Sequence, residues 1–249
     1  MNLIDRLEYK FLRILAPGEP THMSGSSFAG RSKLDVLLGK EFLGEVINRD
    51  VIDFGCGEGA ESVELAQRGA RVLGIDNRES VLEVARSRAR QAGVESRCQF
   101  ATTAAAPVDI IVSIDSFEHF SDPATILQTM HALLRPGGCV VASFGPTWFH
   151  PYGGHLFSVF PWAHLLFTER ALLQWRSHIR RDGARTFSDV EGGLNQMTIR
   201  RFERLISASP FLVENLELVP IRKLRRFHNA ATREFTTAVV RARLRKAAA

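Results

Sequence analysis

A short apolar run followed by three glycines is the strongest chemical signal in this chain. Val51-Ile52-Asp53-Phe54 leads directly into Gly55-Cys56-Gly57-Glu58-Gly59, the pattern of a strand whose glycine turn opens a helix. Glycine lets the backbone turn sharply and lets a ligand approach main-chain atoms closely. Ligands of open α/β sheets bind at the carboxyl ends of such strands. The pattern therefore predicts a cofactor site formed by Gly55, Cys56 and Gly57.

Two acidic residues narrow the choice of cofactor. Gly55-x-Gly57-x-x-Ala60 also fits the fingerprint of dinucleotide-binding folds, and Asp76 at the end of the next strand suits the ribose of either cofactor. Asp53, two residues before the turn, would repel a pyrophosphate but attract the ammonium group of an amino acid. An amino-acid-bearing nucleoside is therefore favoured over a dinucleotide.

A second group of reactive side chains follows a later strand. Asp115, Glu118 and His119 would share one face if residues 115–119 formed a helical turn. Three interpretations stay open: His119 acts as a general base, the three residues bind a divalent cation, or the segment is structural. His155 follows Gly153-Gly154 in a loop expected to overhang the site. It is the second candidate catalytic residue, and a distant fourth metal ligand.

The elements that must position these residues alternate between strands and helices. The strands are almost continuously apolar, which is typical of a parallel sheet covered on both faces. The pattern predicts helices over 3–15, 33–47, 58–68, 78–92, 123–134 and 198–208, and strands over 51–54, 71–75, 97–101, 109–114, 139–144, 211–219 and 233–240. The last two strands are expected to form a pair.

The alternation stops after residue 145. All three tryptophans lie in 146–195, which indicates an aromatic-rich insertion that serves as a lid over the acceptor, as added core or as a subunit interface. The polar stretch 191–196 is expected to be a return loop that faces the acceptor. We expect a single domain over 1–249: a helical cap over 1–48, a cofactor-binding core over 49–145, the lid insertion over 146–195, and a helix with a strand pair over 196–249.

Four segments together resemble the class I S-adenosylmethionine (SAM)-dependent methyltransferases, and in particular the core of the ubiquinone-pathway O-methyltransferases. They are residues 51–59, 72–76 (Val-Leu-Gly-Ile-Asp), 108–120 with the Asp-Ser-Phe-Glu-His segment, and 133–138 (Leu-Leu-Arg-Pro-Gly-Gly). The resemblance covers about residues 33–145 in the right order. It implies an α/β, Rossmann-like, seven-stranded sheet with an antiparallel last strand and helices on both faces.

The resemblance also assigns roles by position. Gly55 and Gly57 would cradle the methionine part of SAM, Asp53 would order the loop and the ammonium group, and Asp76 would hold the ribose. Four further cofactor contacts are expected, from Asn77 beside the adenine and from Thr102, Ile114 and Asp115. The family often has an acid after the third strand to bind the adenine amino group, and this sequence has Thr102-Thr103 there instead. Relatives with the Glu-His element include metal-using enzymes, which is the basis of the metal interpretation.

The leading hypothesis is transfer of a methyl group to oxygen of a planar or hydrophobic small molecule. No Asn/Asp-Pro-Pro-aromatic tetrapeptide follows the fourth strand, which argues against amino-nucleobase methylation. The alternatives are an RNA methyltransferase that uses the basic C-terminal residues, and a SAM-binding protein without methyl transfer, such as a repurposed cyclase or a regulatory partner. A nucleic-acid partner is disfavoured because no separate RNA-binding domain is apparent.

Composition limits the remaining classes. The 249 residues are 45% hydrophobic and 24% charged, with a net charge of +5, which is ordinary for a globular protein. Cys56, Cys98 and Cys139 are far apart and are expected to be unpaired. No stretch has the run of about 20 apolar residues that a membrane span needs, so a cytoplasmic protein is expected, and a homodimer through the aromatic insertion is a further expectation.

Overall fold

The computed structural model describes residues 2–16, 32–180, 183–190 and 193–248. The sheet strands are β1 (Asp50–Phe54), β2 (Arg71–Ile75), β3 (Cys98–Ala101), β4 (Val108–Ile114), β5 (Leu134–Phe144), β6 (Leu212–Pro220) and β7 (Thr237–Arg245). The α-helices are α1 (Leu3–Leu15), α2 (Lys33–Leu37), α3 (Lys40–Glu45), α4 (Ala60–Gln67), α5 (Glu79–Gln91), α6 (Pro123–Leu133), α7 (Ala163–Leu166), α8 (Glu169–Ser177), α9 (Ile199–Ser207) and α10 (Arg233–Thr236). Within these ranges, none of the helices has the length and apolar character needed to cross a bilayer.

The seven strands form one sheet in the order β3-β2-β1-β4-β5-β7-β6. Strands β1 to β5 run parallel to one another, and β7 runs antiparallel to both β5 and β6. The predicted Rossmann-like sheet with an antiparallel last strand is therefore confirmed, including the pairing of the two C-terminal strands. The order places β2, β1 and β4 side by side, so residues after these three strands meet at one edge.

Both faces of the sheet are covered because successive strand residues point to opposite sides. Val51 packs with helices α2 to α5 on one face, whereas Ile52 packs with α6 and α9 on the other. The strands are buried on both sides, which explains why they appear as continuous apolar runs rather than alternating ones.

The insertion after β5 forms a third cluster with helix α1. Its members include Leu12 of α1, Phe157, Leu172 and Trp175. The indole nitrogen of Trp175 donates to the Ala16 carbonyl at 2.7 Å, which ties the insertion to the end of α1. The insertion thus contributes added core, one of the three predicted roles, and the other two remain predictions.

Several predicted elements have other bounds in the structure. The helix expected over 33–47 is two helices, because Gly39 between them has φ +84° and interrupts the helical backbone. The last strand begins at Thr237 rather than at residue 233, since Arg233–Thr236 form the short helix α10. The sequence is rich in Gly, Ser and Pro over 18–32 and predicts a loop there, but this stretch lies outside the described residues except for Ser32.

Candidate functional site

The glycine turn after β1 is held against the ends of β2 and β4. The amides of Gly55 and Cys56 both donate to the Ile75 carbonyl, at 2.8 and 2.9 Å. The Ser116 hydroxyl, after β4, is 3.3 Å from the Gly55 carbonyl. A Cβ on Gly55 would lie 2.6 Å from this hydroxyl oxygen, so the position requires glycine. Hydrogen bonds to the ends of both neighbouring strands thus determine the shape of the turn.

The acidic side chains at this edge have different surroundings. Asp53 is only 2% exposed, and its Oδ2 accepts from the Ser62 hydroxyl of α4 at 2.5 Å. Asp76 also lies at the edge; its Oδ2 accepts from the Gly57 amide at 3.1 Å and its Oδ1 from the Arg78 amide at 3.0 Å. The Arg78 guanidinium pairs with the same carboxylate at 3.2 Å. Asp76 therefore connects the glycine turn to the end of β2.

The site has space for a ligand beside Gly57. Gly57 has φ +49°, and a Cβ there would meet no heavy atom within 4 Å. A Cβ on Gly59 (φ +74°) would instead lie 2.8 Å from the Ala85 Cβ and from the Phe100 ring. Gly59 therefore serves packing, while Gly57 faces open space next to the Asp76 carboxylate. A nucleoside with a short amino-acid chain fits such a cradle, so the residues present suit SAM.

We expect this difference to separate two glycine variants. Gly57→Ala should weaken binding of S-adenosylhomocysteine (SAH), the product of SAM, by at least about tenfold. Its left-handed backbone should cost about 1–2 kcal/mol of stability. Gly59→Ala should lose more stability, because overpacking adds about 1–3 kcal/mol. Calorimetric titration with SAH and urea unfolding measure the two effects, and unchanged SAH affinity in Gly57→Ala would contradict the cradle.

The remaining predicted cofactor residues differ in how exposed they are. Ile114 is buried at the end of β4, whereas Asn77 and Thr102, after β2 and β3, are exposed. The Cys56 side chain points into the core, since its Sγ would be 2.9 Å from a Cβ on Gly74, and only its main chain faces the turn. All three cysteines are free and buried, as expected from their spacing.

Lys33 is a component of this edge that the sequence did not reveal. Its Nζ lies 2.9 Å from Asp115 Oδ2 and 3.0 Å from Glu61 Oε1. Burial by itself would lower the Lys33 pKa, but the two carboxylates outweigh burial and raise it. In the sequence Lys33 is simply the first residue of an amphipathic helix, where a solvated lysine is ordinary, so no signal marked it.

The segment 115–119 is not the predicted helical turn. Asp115 has φ +48°, and its amide still donates to the Ser143 carbonyl of β5 at 2.7 Å. The turn begins at Ser116, whose carbonyl accepts from the amides of His119 and Phe120. Asp115 therefore belongs to the end of the sheet, and it does not share a helical face with Glu118 and His119.

These three residues have separate partners instead of a common one. Asp115 pairs with Lys33, buried Glu118 accepts from the Gly145 amide at 3.3 Å, and His119 Nδ1 lies 2.6 Å from the Gly193 carbonyl. In the part of the chain that the structure describes, no group of three or more His, Cys, Asp or Glu side chains is placed to hold a metal ion. The predicted metal set does not fit this geometry, and we derive no step through a metal.

His155 lies next to His119, which agrees with the prediction that its loop overhangs the site. The two rings meet edge to face with centroids 5.2 Å apart. Burial and the neighbouring His119 lower the pKa of His155 to about 3, so His155 is neutral near pH 7. Its Nε2 and the Glu118 Oε2 are buried and have no hydrogen-bond partner among the described residues. Polar atoms of this kind normally bind water or a ligand, so these two atoms are candidate contacts for a polar ligand.

The return loop braces the 116–120 turn. The Asn195 side-chain amide donates to the carbonyls of Phe117 and Phe120, both at 2.7 Å, and its main-chain amide donates to the Glu118 carbonyl. Asn195 therefore holds the 116–120 turn in place. Residues 191 and 192 of the predicted loop lie outside the described residues.

The buried Asp53 carboxyl predicts a pH-dependent stability. Burial raises its pKa to about 7, although the Ser62 hydrogen bond and Lys33 partly lower it. Because the pKa of this carboxyl is raised in the folded protein, its contribution to stability is fully present below the ordinary pKa of an aspartate. That contribution is lost as the pH rises through about 7. We expect the free energy of unfolding of the wild type to fall by about 2–3 kcal/mol between about pH 5 and pH 8 relative to Asp53→Asn.

Urea unfolding at the two pH values tests this expectation. The control is Glu58→Gln, an exposed acid in the same turn, which should follow the wild type. Identical pH dependence of the wild type and Asp53→Asn would show that the buried carboxyl does not titrate in this range.

Comparison with known proteins agrees with this architecture. A family model described as "Methyltransferase domain" matches residues 52–142. The chain is 38% identical over 112 residues to the ubiquinone biosynthesis O-methyltransferase of Leptothrix cholodnii, which covers 42% of this chain and 47% of the relative. The chain thus spans about half the length of the curated relatives it matches.

Two solved structures show how widely the fold is used. A SAM-dependent methyltransferase from Mesorhizobium loti has a TM-score of 0.57 at 19% identity, covering 88% of this chain and 100% of that one. The [4+2]-cyclase SpnF has a TM-score of 0.55 at 14% identity, covering 84% and 80%. At such identities the likeness concerns the fold. Residues 52–142 therefore match a methyltransferase domain model, and the chain shares the Rossmann-like fold of these two solved structures.

Proposed function

We propose that this chain is a SAM-dependent methyltransferase that methylates an oxygen of a planar or hydrophobic small molecule. The observation that carries the proposal is the open space beside Gly57, which is bounded by the Asp76 carboxylate at the carboxyl ends of β1 and β2. The 38% identity to a ubiquinone biosynthesis O-methyltransferase over 112 residues supports oxygen as the acceptor atom.

Different residues at the carboxyl ends of the strands would bind different parts of the cofactor. The main chain of Gly55, Cys56 and Gly57 would hold the amino-acid part, and Asp76 would accept hydrogen bonds from the ribose hydroxyls. Asp53 orders the turn through Ser62. Asn77 and Thr102 would lie beside the adenine, whereas Ile114 and Asp115 would lie at the sulfonium end.

SAM supplies a methyl group on an already activated leaving group, so the protein must mainly align the acceptor and remove its proton. His119 is suited to the second task. A carbonyl oxygen can only accept, so Nδ1 donates to Gly193 and a neutral ring keeps its lone pair on Nε2. The partly buried His119 can therefore take a proton, while the neutral His155 ring lies beside it.

The structure offers less support for the RNA alternative. The arginines of β7 are paired with acids: Arg241 with Glu217, Arg243 with Glu45 and Glu214, and Arg245 with Glu214. Charges neutralised in this way are less available to phosphates. The second candidate function is SAM binding without methyl transfer, which the same open space beside Gly57 would support.

Two measurements test the proposal in order. Calorimetric titration with SAM and SAH should show binding of both, and methyl-labelled SAM should then label phenols and catechols with and without a prenyl chain. Each assay is run with Mg²⁺ and with a chelator. Binding without label transfer to any acceptor would favour the non-methylating candidate, and no binding of either nucleoside would contradict the proposal.

A further inference from the structure

Helix α1 exposes a continuous apolar stripe. At about 100° per residue, six large apolar side chains fall on one side of the helix, within an arc of about 120°. Leu3 is 72% exposed and Ile14 is 79% exposed. The stripe consists of Leu3, Ile4, Leu7, Phe11, Ile14 and Leu15, all of them exposed.

The opposite side of α1 is fastened to the insertion. Asp5 and Glu8 both accept from the Thr168 hydroxyl, at 3.0 and 2.8 Å, and Glu8 also accepts from the Thr168 amide. Leu12 is fully buried in the cluster that contains Trp175. These contacts fix the rotation of the helix, so the apolar stripe faces outward as part of the folded structure.

A row of cations lies along one flank of the stripe. Arg6, Lys10 and Arg13 are exposed on the same side of the helix, whereas both acids of α1 are turned toward Thr168. The apolar surface also continues onto α7, because the Phe11 ring meets the Phe167 ring at 6.1 Å and nearby Leu166 is exposed. An exposed apolar stripe with a cationic flank is the arrangement of a helix that lies in a membrane interface.

We propose that α1 is a membrane-interface helix that binds this protein to the surface of an anionic lipid bilayer. The six apolar side chains enter the headgroup and acyl boundary, and Arg6, Lys10 and Arg13 contact lipid phosphates. The charge pattern favours lipid over a second copy, because a two-fold pair of stripes would bring two rows of cations to one interface. Segment 17–31 holds only Met23 and Phe28 as large apolar residues, too few to match the stripe.

Vesicle flotation with the full chain tests the proposal and needs no methyl transfer. The probes are vesicles of phosphatidylcholine with and without a third of phosphatidylglycerol. We expect binding to the anionic vesicles that weakens with salt, and a drop of about tenfold or more in partitioning for Leu7→Gln/Ile14→Gln. Arg6→Gln/Lys10→Gln/Arg13→Gln should lose the preference for phosphatidylglycerol.

Matched controls distinguish the effect of changing α1 from the effect of changing exposed residues elsewhere on the surface. Leu212→Gln/Val213→Gln removes two exposed apolar residues of β6, and Arg222→Gln/Lys223→Gln/Arg225→Gln removes three exposed cations outside α1. Both should partition like the wild type, and every variant should keep its melting temperature and SAH affinity. The proposal fails if anionic vesicles do not bind the wild type, or if the α1 variants bind as well as it does. It also fails if sedimentation shows a dimer that the α1 apolar variant dissociates without any vesicle binding.

Discussion

Asp76→Ala is expected to weaken SAH binding by about a hundredfold or more. Two hydrogen bonds from ribose hydroxyls to a carboxylate are each worth about 1.5–3 kcal/mol, and about 1.4 kcal/mol corresponds to a factor of ten. The variant also loses the acceptor of the Gly57 amide, which loosens the turn that would hold the amino-acid part. Calorimetric titration with SAH measures the loss.

Asp76→Asn is the matched control for charge. An asparagine keeps the size and one acceptor oxygen but loses the charge that pairs with Arg78, so we expect an intermediate loss of about tenfold. Melting temperatures show whether either variant has unfolded. SAH affinity of Asp76→Ala within threefold of the wild type, with the fold intact, would remove Asp76 from the cofactor site.

His119→Asn is expected to reduce kcat/KM for the best acceptor phenol by about a hundredfold or more, which is the range of general base catalysis. SAH affinity should stay within about twofold, since Nδ1 of His119 donates to the Gly193 carbonyl and a side-chain amide can replace that donor. Initial rates with methyl-labelled SAM measure the loss. His131→Asn is the control, because His131 lies on α6 and meets the Phe211 ring edge to face rather than any residue of the 115–119 segment.

A positioning role for His119 would give a different result from a base. A base matters less when the acceptor is already acidic, so the deficit of His119→Asn should shrink along a series of increasingly acidic phenols. A deficit that is the same across the series would mean that His119 is a positioning residue, which only holds its neighbours, including His155, in place.

The cofactor site at the carboxyl ends of β1 and β2 could be predicted because its signals lie close together in the sequence. Gly55 and Gly57 follow an apolar strand, and Asp76 ends the next one, so spacing along the chain was sufficient to place them after neighbouring parallel strands. The alternation of strands and helices similarly indicated the covered sheet. Such features depend on the local backbone and on burial of both sheet faces, which a sequence records directly.

Other features depended on contacts between distant parts of the chain. Lys33 reaches Asp115 and Glu61 only after α2 has packed over the edge, and Asn195 fastens the 116–120 turn from the far end of the insertion. The helical turn expected over 115–119 failed because Asp115 continues its main-chain pairing with β5. Helical periodicity in the sequence could not predict that strand pairing would win over a helical turn at Asp115.

The sequence by itself determined the Rossmann-like core, the glycine turn with Asp53 and Asp76, and the amphipathic character of α1. Only the tertiary structure decided which side of α1 is buried, because the apolar stripe would ordinarily be assigned to the core. Asp5 and Glu8 bind Thr168 and turn that stripe outward. Likewise, the separate partners of Asp115, Glu118 and His119 are set by β5, Lys33 and the return loop, since spacing places residues along an element but not against their neighbours.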